Sequence, residues 1–185
     1  MVKITYSDGK YIDKAGGVTY LSAGVSYEPV SVGEEYAEYN KTVLYRIGFL
    51  NPKEWLTEKY EGIGSIYYSE DLKLPEFGEF EAVKILICAV DVITISINTV
   101  EDKADINAVA ELYLNGEQTE LPIDGRNSYH LKFASDKYPG IYYNILYVEG
   151  RDGRNFLFDR DTKRCVEAGK ALEKYLWNEG DTGES

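Results

Sequence analysis

The chain has 185 residues, with 20 lysines and arginines against 32 aspartates and glutamates, and its formal net charge at pH 7 is −12. This length is enough for one domain with its own core, and 44% hydrophobic against 28% charged residues excludes general disorder. The excess of acids argues against nucleic acid as a direct ligand and favours a basic protein as the partner.

The sequence carries no signal for secretion or for a membrane span. The N-terminal stretch MVKITYSDGKYIDK is polar throughout, unlike a signal peptide, and the longest apolar stretch, residues 85–97, is interrupted by Asp91. Cys88 and Cys165 are too few for a disulfide framework or a zinc site, so we expect two buried free thiols. We therefore predict a cytoplasmic protein with no membrane partner.

The N-terminal third predicts three strands separated by turn residues and one acidic stretch. The strand patterns are VKITY, VTYLSAGVSY and TVLYRIGFL. The acidic stretch is EEYAEY, from Glu34 to Tyr39, which we interpret as a connection or a strand edge. Asn51 followed by Pro52 is typical of an N-cap and a first helical position, so we predict a short helix near 52–60.

The middle of the chain predicts two pairs of strands. Residues 85–99 alternate isoleucines at period two, but they are too many for one strand, so we expect a bend or turn near Asp91. Asn115 and Gly116 supply the positive φ angles of a two-residue hairpin turn, which predicts strands at about 109–114 and 117–121.

The C-terminal part predicts a hairpin followed by a helix. The stretch IYYNILYVEGRDGRNFLFDR predicts two strands joined by a turn from Gly150 to Gly153. A helix near 162–178 is predicted from an apolar stripe with a period of 3.6 residues: Cys165, Ala168, Gly169, Leu172, Tyr175 and Leu176. We expect a single β-rich domain over residues 1–180 and a disordered tail over 181–185. The predicted fold class is α+β, with a mainly antiparallel sheet arranged as a sandwich or a barrel.

Catalytic chemistry has few candidate residues in this sequence. The single histidine, His130, lies in the strand pattern SYHLKFA, and it could act with Lys132 and Tyr129 in a small nuclease or hydrolase. No zinc pattern and no calcium-loop spacing is present, so we predict no metal and no cofactor.

Acids and tyrosines favour a binding function over catalysis. The 17 tyrosines offer large, rigid contact areas with a polar tip, which are enriched at interfaces. If Glu79 and Glu81 occupy alternate strand positions, their carboxylates lie about 6.6 Å apart on one face and resemble the phosphates of a nucleic acid. The predicted partner-binding residues come from two blocks: Glu34, Glu35, Tyr36, Glu38, Tyr39, Glu76, Glu79 and Glu81.

Three functions therefore remain open. The first is a non-enzymatic inhibitor, of the immunity or phage anti-defence type, that blocks a basic toxin or a nucleic-acid-handling enzyme. The second is the small nuclease or hydrolase acting through His130. The third is a structural module or a binder of small ligands or carbohydrates, in which tyrosines stack on sugar rings. In each case we expect a monomer or a weak oligomer.

Overall fold

β-Strands dominate the protein. A computed structural model describes most of the chain, namely residues 1–59, 65–90, 94–122, 125 and 127–176. Within these residues there are fifteen strands, one α-helix and two short 3-10 helices. None of the described helices is both long enough and apolar enough to cross a membrane. The predicted tail at 181–185 lies outside the described residues.

The chain divides into two compact units. The first is formed by Met1–Ala82 with Ala134–Asn144, and the second by Val83–Phe133 with Ile145–Ser185. The first nine strands of the chain are β1 (Val2–Lys3), β2 (Thr5–Ser7), β3 (Lys10–Asp13), β4 (Val18–Ser22), β5 (Tyr27–Pro29), β6 (Val32–Tyr39), β7 (Thr42–Ile47), β8 (Trp55–Glu58) and β9 (Ile66–Ser69). All of them except β5 form one sheet, in the order β1-β6-β7-β8-β9-β4-β3-β2.

This first sheet is a nearly closed barrel. Its two end strands, β1 and β2, are separated in sequence by Ile4 alone, so the two ends of the sheet lie next to each other. Ile4 extends the pairing of β1 with β6, because its N–H donates to the carbonyl of Glu38 at 2.9 Å. β1 pairs with β6 in parallel, and the other neighbouring strands of this sheet pair antiparallel, as predicted. The barrel core is one cluster of buried side chains: Ile4, Tyr20, Ala37, Leu44, Leu56 and Tyr67.

Two tight turns hold consecutive strands of the barrel together. Asp8 and Gly9 have φ angles of 53° and 80° and join β2 to β3. Asn40 and Lys41 have φ angles of 44° and 70° and join β6 to β7. Positive φ at both central residues matches the right-handed twist of the strands on either side, which explains these two-residue connections.

The short helix predicted near 52–60 is wrong. The carbonyl of Asn51 accepts hydrogen bonds from the N–H groups of Glu54 and Trp55, each at 2.9 Å, so the chain makes a single turn. It then enters β8, in which Trp55, Leu56 and Thr57 are buried. The interior of the barrel favours an extended strand here, and that tertiary context overrides the local helix signal. Residue 60 lies outside the described residues.

The remaining strands are β10 (Ala82–Val90), β11 (Thr94–Val100), β12 (Asn127–Ser135), β13 (Ile141–Glu149), β14 (Asn155–Phe158) and β15 (Cys165–Glu167). They form a second sheet in the order β11-β10-β12-β13-β14-β15, and β5 pairs with residues 141–143 of β13. The predicted division of residues 85–99 is confirmed by the antiparallel pair β10 and β11, although the expected turn at 91–93 lies outside the described residues. The predicted hairpin around Gly150 to Gly153 is confirmed by β13 and β14. Both cysteines are free and buried, as expected.

The hairpin predicted around Asn115 and Gly116 is wrong, because this segment is the α-helix α1 (Lys103–Asn115). Asp102 caps it, since its carboxylate accepts the N–H groups of Ala104 at 2.9 Å and Asp105 at 3.0 Å. The helix buries Ile106, Val109 and Tyr113, which recur at helical spacing. Gly116 therefore ends a helix instead of joining two strands.

The helix predicted near 162–178 is also wrong. The buried carboxylate of Asp159 accepts the N–H groups of Asp161 at 2.8 Å and Thr162 at 3.2 Å, which bends the chain into a turn. Lys163 then adopts a φ of 60°, and the chain returns as β15 to pair with β14. Only a short 3-10 helix, Glu173–Tyr175, follows, and residues 177 and 178 lie outside the described residues.

Candidate functional site

The stretch EEYAEY is a strand of the barrel, not a connection. It forms most of β6, which pairs antiparallel with β7, while Ala37 and Glu38 also pair with β1. Ala37 is fully buried in the barrel core, whereas Glu34 and Glu35 are exposed. The register shifts on either side of Glu35, which is a β-bulge that bends the strand here.

Four tyrosine rings form a connected group in the barrel, which we call the tyrosine cluster: Tyr6, Tyr11, Tyr39 and Tyr67. They come from β2, β3, β6 and β9 respectively. Tyr11 is the central ring, with centroid distances of 5.0 Å to Tyr6, 5.0 Å to Tyr39 and 4.5 Å to Tyr67. Steeply inclined ring pairs at these distances are the favourable geometry for aromatic side chains.

The tyrosine cluster extends from the barrel core to the surface. Tyr67 is 4% exposed, whereas Tyr6 is 51% exposed. The hydroxyl of Tyr67 donates a hydrogen bond to the carboxylate of Glu58. Burial raises the pKa of the Tyr67 phenol, and the bond to Glu58 raises it further, so this phenol is a proton donor throughout the physiological range.

Tyr36, the other tyrosine of EEYAEY, has a different environment. It packs half-buried against the barrel core, and the guanidinium of Arg46 lies 5.5 Å from the centroid of its ring. A cation over the ring face covers the surface that a partner would otherwise contact. Tyr6, whose ring is 51% exposed, is therefore more accessible than Tyr36, whereas Tyr39 packs half-buried against the same core as Tyr36.

Three of the six acids predicted to bind a partner have lysine partners within the protein. Glu38 pairs with Lys3 at 2.5 Å, and Glu79 pairs with Lys73 at 2.6 Å. The bond from Lys73 lowers the pKa of the Glu79 carboxyl. Such exposed pairs contribute little to stability, but each one neutralises the charge that would attract a basic partner.

The block Glu76, Glu79 and Glu81 does not form the strand that the sequence predicted. Glu79 ends a 3-10 helix, Phe77–Glu79, and its carboxylate accepts the N–H of Glu76 at 3.0 Å. Glu81 adopts a φ of 49° immediately before β10 and pairs with Lys137 at 3.1 Å. The expected pair of carboxylates at alternate strand positions is therefore wrong.

Glu34 and Glu35 differ from the three paired acids, Glu38, Glu79 and Glu81. Both are exposed, and neither has an ion pair among the described residues. They lie in the same strand as Tyr39, five and four residues before it. The unneutralised negative charge of the predicted stretch is thus concentrated at one part of β6.

The alternative catalytic residues lie in β12 of the second sheet. His130 is buried, while Tyr129 and Lys132 are half-buried. Side chains alternate between the two faces of a strand, so His130 and Lys132 share one face and Tyr129 lies on the other. Tyr129 instead lines an apolar groove with Ala89, Ile95 and Ile97 of β10 and β11. The strand therefore does not bring the three side chains together on one face.

Among the described residues, no three acidic, histidine or cysteine side chains are close enough together to bind a metal ion. Comparisons with models of protein families, with curated proteins and with solved structures found no match. Function therefore has to be inferred from the chemistry of the residues themselves.

The sequence interpretation missed Tyr6, Tyr11, Tyr67 and Glu58. A signal for two of them was present, because Asp8-Gly9 is a strong hairpin turn and Tyr6 and Tyr11 stand at equal distances on either side of it. Applying that turn rule would have placed the two rings opposite each other. Tyr67 and Glu58 join the cluster only through the closed barrel, and no local pattern indicates this.

Proposed function

We propose that this protein is a non-enzymatic inhibitor that binds a positively charged protein through β6 and the tyrosine cluster. The observation that supports the proposal is the pair of exposed carboxylates, Glu34 and Glu35, which have no ion pair among the described residues. A basic toxin or a nucleic-acid-handling enzyme is the kind of partner that this charge favours, as in immunity and anti-defence proteins. With a net charge of −12, the whole molecule attracts such a partner before contact.

The two residue types have separate roles in this proposal. Carboxylates attract the partner over a distance of about 10 Å at moderate salt and so raise the association rate. Tyr6 and Tyr39 provide flat rings with hydroxyl tips, which lose water on contact and slow dissociation. Tyr6 is already supported by Tyr11 and Tyr39, so little side-chain freedom is lost when a partner covers it.

The experiment begins with capture of partners from extracts of the native host at low and high salt. Binding kinetics are then measured for the wild type and for a variant with Glu34→Lys and Glu35→Lys. We expect the reversal to lower the association rate at least about tenfold at low salt, with a smaller effect at high salt. Tyr39→Ala is expected to raise the dissociation rate.

A matched control reverses the same number of charges in the second unit, with Glu117→Lys and Glu120→Lys. Both residues are exposed, so the change in net charge is the same while β6 is untouched. If the control slows association as much as the β6 reversal, net charge alone attracts the partner. If neither reversal and neither salt concentration changes the rate, Glu34 and Glu35 are only solvated surface and the proposal is wrong.

Exposure of the Tyr6 ring favours a carbohydrate as a second candidate ligand. A phenol that is 51% exposed and supported from behind by another ring can stack on the apolar face of a sugar. A glycan array tests this candidate, with Tyr6→Ala as the variant that should lose binding. The hydrolase alternative is tested by His130→Ala, which under our proposal leaves the biological effect unchanged in a folded variant.

A further inference from the structure

β11 is one of the two end strands of the second sheet, and its outer edge differs from that of the other end strand, β15. The edge of β15 is covered, because Gln118 forms an antiparallel bridge with Val166 and the N–H of Thr119 donates to the carbonyl of Cys165 at 2.9 Å. Within the described ranges, by contrast, the backbone of residues 94–97 makes no hydrogen bond except in the pairing with β10. At β11 the sheet therefore presents N–H and C=O groups with which another strand can pair.

The sequence of β11 lacks the residues that usually protect the edge of a sheet. TISINTV contains no charged residue and no proline, and most of its residues are β-branched and favour strands. One protective feature is present, a β-bulge, since the register with β10 skips Ile97. Residues 94–96 keep a regular register beyond this bulge, so this part of the edge has the geometry to accept a strand.

An apolar groove of about 320 Å³ lies beside the same edge, within the second unit. It is lined by Ala89, Ile95, Ile97 and Tyr129, and Ile95 is 53% exposed. Ile95 lies opposite Ala89 in the register, and Ile97 shares its face because side chains alternate along a strand. A strand added to β11 would place every second side chain next to Ile95, from where a long apolar side chain reaches the groove.

We propose that β11 binds an extended segment of another protein, with apolar side chains at every second position and basic residues between them. Only an extended backbone presents N–H and C=O groups at the spacing of a strand edge, which excludes a helix or a small molecule as the occupant. The stretch 94–122, which contains β11 and α1, carries six acids and only Lys103 as a base. An excess of acids remains after Lys84 and Lys174 pair with two of them, and this charge favours a basic segment.

This surface is separate from the one in the proposed function. β11 belongs to the second unit, whereas β6 belongs to the first, so binding at the two strands is measured independently. A second copy of the chain is a poor occupant, because each copy carries a net charge of −12 and two copies repel each other.

NMR titration of the ¹⁵N-labelled protein with an eight-residue peptide that alternates lysine with leucine tests the proposal. We expect the amide signals of residues 94–97 to shift and to gain protection from hydrogen exchange, because new backbone hydrogen bonds form there. The same peptide methylated on every backbone nitrogen keeps its charge and side chains but has no N–H donors. It should bind at least about tenfold more weakly, as should a peptide that alternates glutamate with leucine.

Two variants with the same change in charge test the groove. Ile95→Lys places a charge in it and should weaken binding of the lysine–leucine peptide at least about tenfold. Leu114→Lys, at a residue of α1 that is 42% exposed and does not line the groove, is the matched control and should change binding less than about twofold. Melting curves show whether both variants are folded, and the methylated peptide decides the matter with the wild type alone.

Four results would overturn the proposal. The first is equal binding of the methylated and unmethylated peptides, and the second is equal weakening by Ile95→Lys and Leu114→Lys. The third is a set of shifts confined to β6, which would support the proposed function but not a site at β11. The fourth is a shift of the β11 amides with protein concentration in the absence of peptide, which would make a second copy of the chain the occupant.

Discussion

Tyr6 and Tyr11 face each other across the turn formed by Asp8 and Gly9, and their ring centroids lie 5.0 Å apart. Tyr11 continues the contact inward to Tyr67, whose ring is almost fully buried. The ring that a partner would touch is therefore supported by the same side chain that packs against the barrel core. Tyr11 therefore supports the core, and under the proposed function it also supports the ring that contacts the partner.

Tyr11→Ala should lower the free energy of unfolding by about 2–3 kcal/mol, because the half-buried ring leaves a void between three other rings. Tyr6→Ala should cost at most about 1 kcal/mol, since its ring is largely exposed. Urea unfolding followed by far-UV circular dichroism measures both changes. An equal loss in the free energy of unfolding for the two variants would mean that the Tyr11 ring contributes no more to core packing than the exposed Tyr6 ring does.

Stability should fall as pH rises above about 10. Burial is the main cause that raises the pKa of four phenols in the folded protein: Tyr20, Tyr67, Tyr113 and Tyr147. Above the ordinary value of 10.0, unfolded tyrosines release protons that the folded ones keep, so the unfolded state gains stability. Above pH 10 each such phenol lowers the free energy of unfolding by about 1.4 kcal/mol per pH unit. Below about pH 9 it has almost no effect on the free energy of unfolding.

Urea titrations between pH 8 and pH 11 measure this slope. Tyr67→Phe should make the slope shallower by the contribution of one phenol. An equal slope in the wild type and in Tyr67→Phe would show that Tyr67 ionises as easily in the folded state as in the unfolded state.

Lys41→Gly should stabilise the protein by about 1 kcal/mol. Lys41 has a φ of 70°, a conformation that costs a residue with a side chain about 1–2 kcal/mol and costs glycine almost nothing. Greater freedom of glycine in the unfolded state offsets part of the gain. Thermal unfolding compares this variant with Lys53→Gly, whose φ is not positive and which should be destabilised instead.

Arg164→Met should lower the free energy of unfolding by about 1–3 kcal/mol. The Arg164 guanidinium donates to the carbonyls of Tyr113 at 2.7 Å, Leu114 at 3.1 Å and Gly116 at 2.7 Å, all at the end of α1. Removing it leaves the last carbonyls of the helix without these donors and removes a favourable positive charge. Arg151→Met, at an exposed turn residue, is the control and should change stability by less than about 0.5 kcal/mol.

Local patterns correctly predicted the strand pairs within residues 85–99 and around Gly150 to Gly153, but they could not decide between the competing helix and turn signals at Asn115. Asn115-Gly116 and Asp8-Gly9 are both strong turn signals, yet only Asp8-Gly9 joins two strands. The cap at Asp102 and the buried stripe through Tyr113 favour a helix before Asn115, and that helix overrides the turn signal. The apolar stripe that predicted a helix from residue 162 fails for a related reason, since Asp159 turns the chain toward the sheet first.

The acidic character of the surface was predicted from the sequence, but the lysines that form ion pairs with individual acids were not. Lys3 and Glu38 are 35 residues apart, and Lys137 and Glu81 are 56 residues apart. Only the folded chain brings these pairs together, so composition could not distinguish Glu38 and Glu81 from Glu34 and Glu35, which have no ion pair within the described part of the chain.

The order in which the barrel can close follows from the position of β1. Val2 pairs with Ala37 and Lys3 with Glu38, so β1 has no partner in this sheet until the ribosome has released β6, which is synthesised after it. During that interval the chain cannot close the ring, and the edge of β6 that later receives β1 stays open to strands from other nascent chains. Pairing between strands this far apart in sequence is a late event in folding. Slow translation between β1 and β6 should therefore lengthen the time during which the open strand edge can pair with other nascent chains.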